Sequence, residues 1–264
     1  VIVHSPLLLA VAGLRHGYST REGGVSRGPY ASLNLGPKVG DDPADVEENR
    51  RRFVAALARD VPRRGGPAPT TPALELAEAE QVHGATVIDV THAGHQGVDA
   101  DGLLTTTAAI AVGVRTADCA PILLAALGAD GQARAVAAVH AGWRGAVAGI
   151  AGLAVQRLRA VPGVVSLRAA IGPTIAAADF EVGDEVVEAA RASLGGDAPP
   201  TLPGRGARLH LDLVGLLVQH LQRAGVPREH IEALADSTAD PSRYYSHRRD
   251  RGVTGRHLSA IALT

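Results

Sequence analysis

The sequence predicts a layered fold that mixes β-sheets with α-helices, of α/β or α+β type. Two observations predict it. Short apolar, partly β-branched runs recur along the chain with turn residues at their ends. Between them lie longer segments with one apolar face at helical spacing. A third observation narrows the choice. Strand and helix signals do not alternate strictly, so a doubly wound parallel sheet is not expected.

The first helix is expected after Asp42-Pro43, an N-cap and N1 pair that leads into Val46, Phe53, Val54 and Leu57 on one face. A second runs from about Trp143 to Leu158, with Arg157 and Arg159 near its end. Two more cover Val182 to Ser193 and Leu211 to Arg223, the last stopped by Gly225. Strands are expected at Thr86 to Val90, Ile110 to Arg115, Ile122 to Ala126, Ala135 to Val139, Leu167 to Ile171 and Leu258 to Leu263. Ala125 to Gly131 reads as a hairpin turn between two of them. Pro62 to Pro72 and Gly195 to Gly206 read as loops that do not divide the chain.

A chain of 264 residues suits one large domain or two small ones. Its 46% hydrophobic and 20% charged residues exclude disorder as the default. With 26 basic against 27 acidic residues, no basic excess argues for nucleic acid or an anionic membrane. The N-terminal run VIVHSPLLLAVAGLRHG is short and lacks a basic flank, so no signal peptide is expected. No apolar stretch long enough for a transmembrane helix is present. The single cysteine, Cys119, cannot form an intramolecular disulfide. A reducing, cytoplasmic setting is therefore expected, with Cys119 as thiolate, metal ligand or buried apolar residue.

Five clusters could carry chemistry. Glu80-Gln81-Val82-His83-Gly84 puts a histidine at the end of a strand. Arg115 to Pro121 places Asp118 and Cys119 at a break between apolar strands. Val139 to Gly145 carries His140, the sole Trp143 and Arg144 where a strand gives way to a helix, whose N-terminus suits an anion. In the tail, Arg243 to Asp250 and Thr254-Gly255-Arg256 mix basic and aromatic residues, able to stack on bases and pair with phosphates. After His16 to Arg21, the two Gly-rich turns Gly23 to Ser26 and Ser32 to Gly36 lie near an arginine and suggest an anion or ligand loop. His83, Cys119 and His140 together offer one soft and two borderline donors, a set that favours zinc. Three ligands leave one position for a water that zinc would activate. Their long spacing carries no local signature of convergence.

In order, HGYSTREGGVS, SLNLG, VGDDPADVEENR, EQVHG, DADG, TADCAPIL, HAGWRG, IGP with FEV, and SHRRD with TGR resemble the YfiH family, also called laccase-domain or polyphenol oxidase proteins. The resemblance runs through nearly the whole chain. It implies an α+β fold of YfiH-like, cysteine-hydrolase type, a single domain over 1–264 with mixed β-sheets flanked by helices. It implies zinc held by His83, Cys119 and His140. It implies phosphorolysis of adenosine, inosine, guanosine and methylthioadenosine, with adenosine deamination attributed to the same site.

On that reading Cys119, Asp118 and Arg144 are the candidate catalytic residues, with Asp118 handling protons. Arg21, Asn34 and Arg248 are the candidate substrate or phosphate contacts. The partners are a nucleoside and phosphate, with no nucleic acid or membrane, and the protein is a monomer or homodimer. Copper oxidases need several histidine-rich clusters. The chain has 11 histidines but no His-x-His pair, so copper is disfavoured against zinc. Two alternatives remain. One is an amidase-type hydrolase acting on cell-wall precursors with Cys119 as nucleophile. The other is a binding module whose zinc is closed by a fourth ligand such as His16 or His247. The chain departs from the family in having Ser237-Thr238 where Cys-Thr is frequent, and Tyr244-Tyr245 where Phe-Phe is common.

Overall fold

Eight consecutive residues, Ala120–Leu127, are all buried. Successive side chains in a strand point to opposite faces, so this strand must be covered on both. That requirement sets the layering. The computed structural model describes residues 2–59, 73–204, 206 and 208–264.

In chain order the strands begin with β1 (Ile2–Val3), β2 (Leu14–Ser19), β3 (Glu75–Glu80), β4 (Val87–Asp89) and β5 (Gly94–Asp99). There follow β6 (Gly102–Thr105), β7 (Ile110–Thr116), β8 (Ala120–Leu127), β9 (Ala133–Ala141) and β10 (Ser166–Ile171). The last are β11 (Glu181–Val182), β12 (Thr201–Pro203), β13 (Leu209–Leu211), β14 (Ile231–Ala233) and β15 (His257–Leu263). The helices are α1 (Pro6–Leu9), α2 (Pro43–Ala58), α3 (Trp143–Val147), α4 (Ile150–Arg159), α5 (Asp184–Ser193) and α6 (Leu213–Arg223).

Two six-stranded sheets form, in the orders β1-β2-β15-β7-β3-β5 and β14-β10-β8-β9-β6-β4, with a small third sheet β11-β13-β12. Both large sheets are mixed: β3 runs parallel to β5 and β7, β4 to β6 and β10 to β14, while the remaining pairs are antiparallel. Their facing sides form one core, with Tyr18, Val112, Val114 and Ile261 from the first sheet against Leu123, Ala125, Val136 and Ala138 from the second. The outer side of the first sheet, with Ala111, Leu258, Ala260 and Ala262, packs on Phe53 and Leu57 of α2. The outer side of the second, with Ile122, Leu124, Ala137 and Val139, packs on α4, α5 and α6. The result is a helix–sheet–sheet–helix stack of α+β class.

Each strand expected from apolar runs is present, and the structure lengthens most of them. The hairpin turn shortens in return: residues 125–127 belong to β8, and the reversal uses Gly128 and Gly131, the latter at φ +75°. α2 begins as expected, its Asp42 carboxylate accepting the Ala44 N–H at 2.8 Å. The single helix expected over Trp143 to Leu158 is instead two, broken at Gly149 with φ +83°. Val182 and Leu211, expected to open helices, lie in β11 and β13. α6 starts after Asp212, which caps the Gly215 N–H at 2.8 Å. Gly225 ends it at φ +88°. The expected loop Gly195 to Gly206 contains β12. The expected loop Pro62 to Pro72 lies outside the described residues.

Strands β2, β3, β5 and β6 carry no clear signal. Glu75–Glu80 reads ELAEAE, a string of helix formers. Tertiary pairing overrides that preference. Buried Glu78 is neutralised by Arg50 and, at 3.2 Å, by Arg115.

Burial on both faces of β8 makes a measurable statement. Leu123→Ala and Leu124→Ala are each expected to cost about 2–5 kcal/mol in urea unfolding. A sheet covered on one face only would leave one of the two variants near wild type.

Candidate metal centre

The ends of several strands meet at one edge of the stack. β7 stops at Thr116, and Cys119 sits in the short link to β8. In the β8–β9 ladder His140 stands opposite Pro121, two residues beyond Cys119. The β6–β9 ladder continues past Gly102 and Val139, so the His140 N–H donates to the Asp101 carbonyl at 2.7 Å. His83 follows β3, held by Gln81, whose side-chain amide exchanges hydrogen bonds of 2.7 and 2.8 Å with the Arg115 backbone. Sheet register therefore brings together three residues 36 and 21 positions apart in sequence.

The donor atoms of His83, Cys119 and His140 all lie within 4.8 Å of one another. That is close to the span of two metal–ligand bonds of about 2.0–2.3 Å. His83 is exposed, Cys119 intermediate and His140 buried, so the group opens to solvent on one side. The two imidazoles meet edge to face with ring centres 4.8 Å apart.

Asp101, fully buried, organises the group. Its Oδ1 accepts from His140 Nδ1 at 2.7 Å and from the His83 N–H at 3.0 Å. Its Oδ2 accepts the N–H groups of Val82 and Gly84 at 3.2 and 2.7 Å. A carboxylate only accepts, so His140 carries its proton on Nδ1 and keeps Nε2 for a metal or for Cys119. Burial works against the charge of Asp101, but His140 and the backbone donors outweigh it and hold the carboxyl below its usual range.

Burial also opposes a Cys119 thiolate. The charge of His140 and hydrogen bonds from His140 and His83 reverse that, bringing the thiol down to about 6. For His140 burial favours the neutral ring, yet the Cys119 charge and the Asp101 hydrogen bond raise it to about 9. The direction is a thiolate–imidazolium pair, and a thiolate is the form that binds metal.

Space is reserved for this group. A Cβ on Gly142 would lie 2.9 Å from Cys119 Sγ and 3.2 Å from His83 Cδ2. A Cβ on Gly145 would lie 2.9 Å from the Gly84 carbonyl. The two glycines of HAGWRG thus allow α3 to close on the site. Around it opens a cleft of about 470 Å³, with Arg115, Arg256 and Lys38 on its walls besides Trp143, Arg144, Phe180 and Arg248.

The family model for multi-copper polyphenol oxidoreductase laccase matches residues 15–264. The chain belongs to this family. It is 38% identical over 263 residues to the purine nucleoside phosphorylase of Deinococcus radiodurans, covering 98% of this chain and 93% of that protein. It is also 38% identical to the purine nucleoside phosphorylase YlmD of Geobacillus stearothermophilus, covering 97% of this chain and 91% of that protein. The crystal structure of that YlmD superposes with a TM-score of 0.82 at 35% identity, over 98% of this chain and 94% of that one. The crystal structure of a Bacillus licheniformis hypothetical protein, YfiH, gives 0.80 at 28% identity, over 95% and 93%.

Within this laccase-type fold the remaining candidates separate. Arg144 and Arg248 line the cleft, stacked on Trp143 and Phe180 with guanidinium-to-ring distances of 4.4 and 5.4 Å. Asp118 also lines it, but both its carboxylate oxygens are engaged, by the Thr238 hydroxyl and the Arg248 N–H, each at 2.6 Å. Its position at φ +87° is secured by the Thr174 hydroxyl and Ile175 N–H on its carbonyl. Arg21 and Asn34 do not line the cleft. Arg21 donates to the Ala31 and Pro241 carbonyls and stacks on Tyr245. Asn34 is fully buried and bonds Gly36, Asp41 and Arg256.

Other expectations change with burial. Tyr244 and Tyr245 are buried, their hydroxyls donating to Asp236 and the Tyr30 carbonyl, so neither stacks on a base. His16 is buried and its Nε2 accepts the Ser5 N–H, so it stands outside the donor group. Among the described residues the donor group has three members, so neither His16 nor His247 closes it. The helix whose N-terminus was expected to suit an anion, α3, is five residues long. Asp101 is the residue that the sequence did not single out, since nothing local in the DADG run distinguishes it as part of a site. Arg256 stood in the basic and aromatic tail cluster, where nothing separated it from the other arginines.

Asp101→Asn replaces one accepting oxygen by an N–H₂ that opposes its own donors. Metal affinity, read by competition with a chromophoric chelator, is expected to fall roughly 10–100-fold. Wild-type affinity in that variant would remove Asp101 from the assembly of the site.

Proposed function

We propose that this chain is a zinc-dependent purine nucleoside phosphorylase, acting on adenosine, inosine, guanosine and methylthioadenosine with inorganic phosphate. The observation that carries the reading is the three-donor His83–Cys119–His140 group opening into an arginine-rich cleft. Relatives of similar sequence and length are purine nucleoside phosphorylases by name. One thiolate and two imidazoles fit zinc by donor chemistry, and the carboxylate on His140 is the expected outer support. A zinc ion held there would supply a Lewis acid with an open coordination position.

In the reaction the bond between ribose C1′ and the purine nitrogen breaks, and a C1′–O bond to phosphate forms. The products are the free purine and ribose 1-phosphate, or methylthioribose 1-phosphate where the substrate is methylthioadenosine. The purine leaves with the electron pair of the broken bond. Cationic side chains must neutralise the incoming phosphate and keep it dry enough to react. Arg144 and Arg248 suit this role because aromatic faces support their planes and, among the described residues, neither pairs with a carboxylate. Asp118, with both oxygens engaged, holds Cys119 and the Arg248 backbone in register. That makes it a positioning residue in this reading, not a proton carrier. Adenosine deamination at the same group is the finer expectation that accompanies it.

One observation favours a second reading. Cys119, His140 and Asp101 are linked in the order of a cysteine hydrolase triad, with a depressed thiol. Such a triad would form an acyl-thioester on Cys119 and cleave amides without metal.

Metal content and turnover separate the two. About one zinc per chain, with adenosine and phosphate converted to adenine and ribose 1-phosphate, is the expected outcome. Inosine among the products would add deamination. Cys119→Ala is expected to reduce phosphorolysis to background. Iodoacetamide should modify Cys119 only after chelation, because a coordinated thiolate is shielded. Amide cleavage by the chelated protein, with no phosphorolysis by the zinc form, would replace this reading by the hydrolase. One copper per chain would return weight to oxidase chemistry.

A further inference from the structure

The Ser32–Gly36 turn, read from sequence as part of an anion loop, instead grips Arg256. The Arg256 N–H donates to Asn34 Oδ1 at 2.8 Å, and the Arg256 carbonyl accepts the Leu35 N–H at 3.0 Å. Its aliphatic stem lies on Gly36. A Cβ there would come within 2.7 Å of Arg256 Cγ and 2.8 Å of its Cβ, so a larger residue would push the stem away close to the backbone, where it cannot flex. The head is held as well, Nη1 donating to the Thr254 and Gly255 carbonyls, both at 3.0 Å.

The place so defined is beside the metal group. His257 pairs with Thr116 at the last rung of the β15–β7 ladder, so Arg256 stands one step further, against the Ala117–Cys119 link. It lines the same cleft as His83 and Cys119. Its neighbours on that wall are ion-paired, Arg115 with the Glu78 it shares with Arg50 and Lys38 with Glu80 at 2.7 Å. Among the described residues no carboxylate forms an ion pair with Arg256, and Nε and Nη2 keep their donors uncommitted. Cys119 and Asp118 bring negative charge near this half-buried guanidinium, but among the described residues neither accepts from its Nε or Nη2, and two parallel donors held in place suit an oxyanion.

We propose that Arg256 is a further anion-binding residue of the cleft, holding inorganic phosphate beside Cys119 together with Arg144 and Arg248, with the Ser32–Gly36 turn as the mould that positions it. The identity of the anion rests on the phosphorylase reading, whereas the existence of the anion site does not.

The test is equilibrium dialysis of the purified full-length protein against radiolabelled inorganic phosphate, alongside steady-state kinetics. Arg256→Ala and Gly36→Ala are expected to weaken phosphate binding on the order of 10–100-fold. The KM for phosphate should rise in parallel while the KM for nucleoside changes little. Arg256→Lys, which keeps the charge but loses the fork, should fall between them. Thermal melts identify any variant that fails to fold, and Arg256→Lys then decides. Wild-type phosphate affinity in Arg256→Ala overturns the proposal. So does loss of binding in Arg144→Ala with Arg256→Ala unaffected, or a wild-type protein that binds no phosphate. Phosphate binding that depends on Arg256, without phosphorolysis of any nucleoside, would keep the anion site and sink the phosphorylase.

Discussion

The buried carboxylate of Asp101 is the contact on which the rest of the site depends. It sits just before β6 and accepts from His140 Nδ1 and from the three successive N–H groups of residues 82–84. One side chain thereby sets the tautomer of one histidine and the backbone of the other. A buried carboxylate is costly unless its oxygens are fully engaged. Here four donors meet two oxygens, so the arrangement is stable only when both histidine segments are in place. The site is consequently assembled all together or not at all, which links its integrity to that of the β6–β9 ladder.

The layered stack explains why the group can be open on one side and rigid on the other. β8 and β9 are covered on both faces, so His140 at the end of β9 inherits the immobility of the core. His83 lies beyond the end of β3 in a sheet whose neighbouring edge strand, β5, is largely exposed, and it faces the cleft. Glycines then decide how near the covering segments come. Gly142 leaves room for Cys119 and His83, and Gly36 for Arg256. Two motifs distant in sequence thus perform the same service: a missing side chain lets a functional one occupy its place.

Much of this was legible in the sequence, and the pattern of success has a physical cause. The runs that became β7, β8, β9, β10 and β15 are buried on both faces, and continuous apolar composition announces that. β3 was hidden because ELAEAE owes its strand to Arg50 and Arg115, residues that only the fold brings near. Helix breaks were hidden for a related reason, since Gly149 was one small residue in a run that otherwise kept its apolar face. In the site, the donor residues could be named from their motifs, but their convergence is a matter of strand register. The arginines were the hardest to sort. Arg21 and Arg256 look alike in sequence, each within two residues of a glycine. Only the structure separates a guanidinium committed to the Ala31 and Pro241 carbonyls from one that lines the cleft.

His83 bears most directly on the choice between a metal centre and a thiol nucleophile. A cysteine hydrolase needs one histidine as base and one acceptor to orient it, and Cys119, His140 and Asp101 already meet that need. His83 would then be superfluous. Yet it is held at φ +61°, a left-handed backbone that a side-chain-bearing residue adopts at a cost of about 1–2 kcal/mol. Its own N–H and both adjacent ones are anchored on Asp101, and Gly142 is kept bare where it meets the ring. Strain sustained by that many contacts marks a residue whose position matters. A second imidazole brought to the same sulfur, from the solvent side, is what a three-ligand ion requires and a triad does not. The geometry of His83 therefore weighs towards metal, with Cys119 as ligand rather than nucleophile.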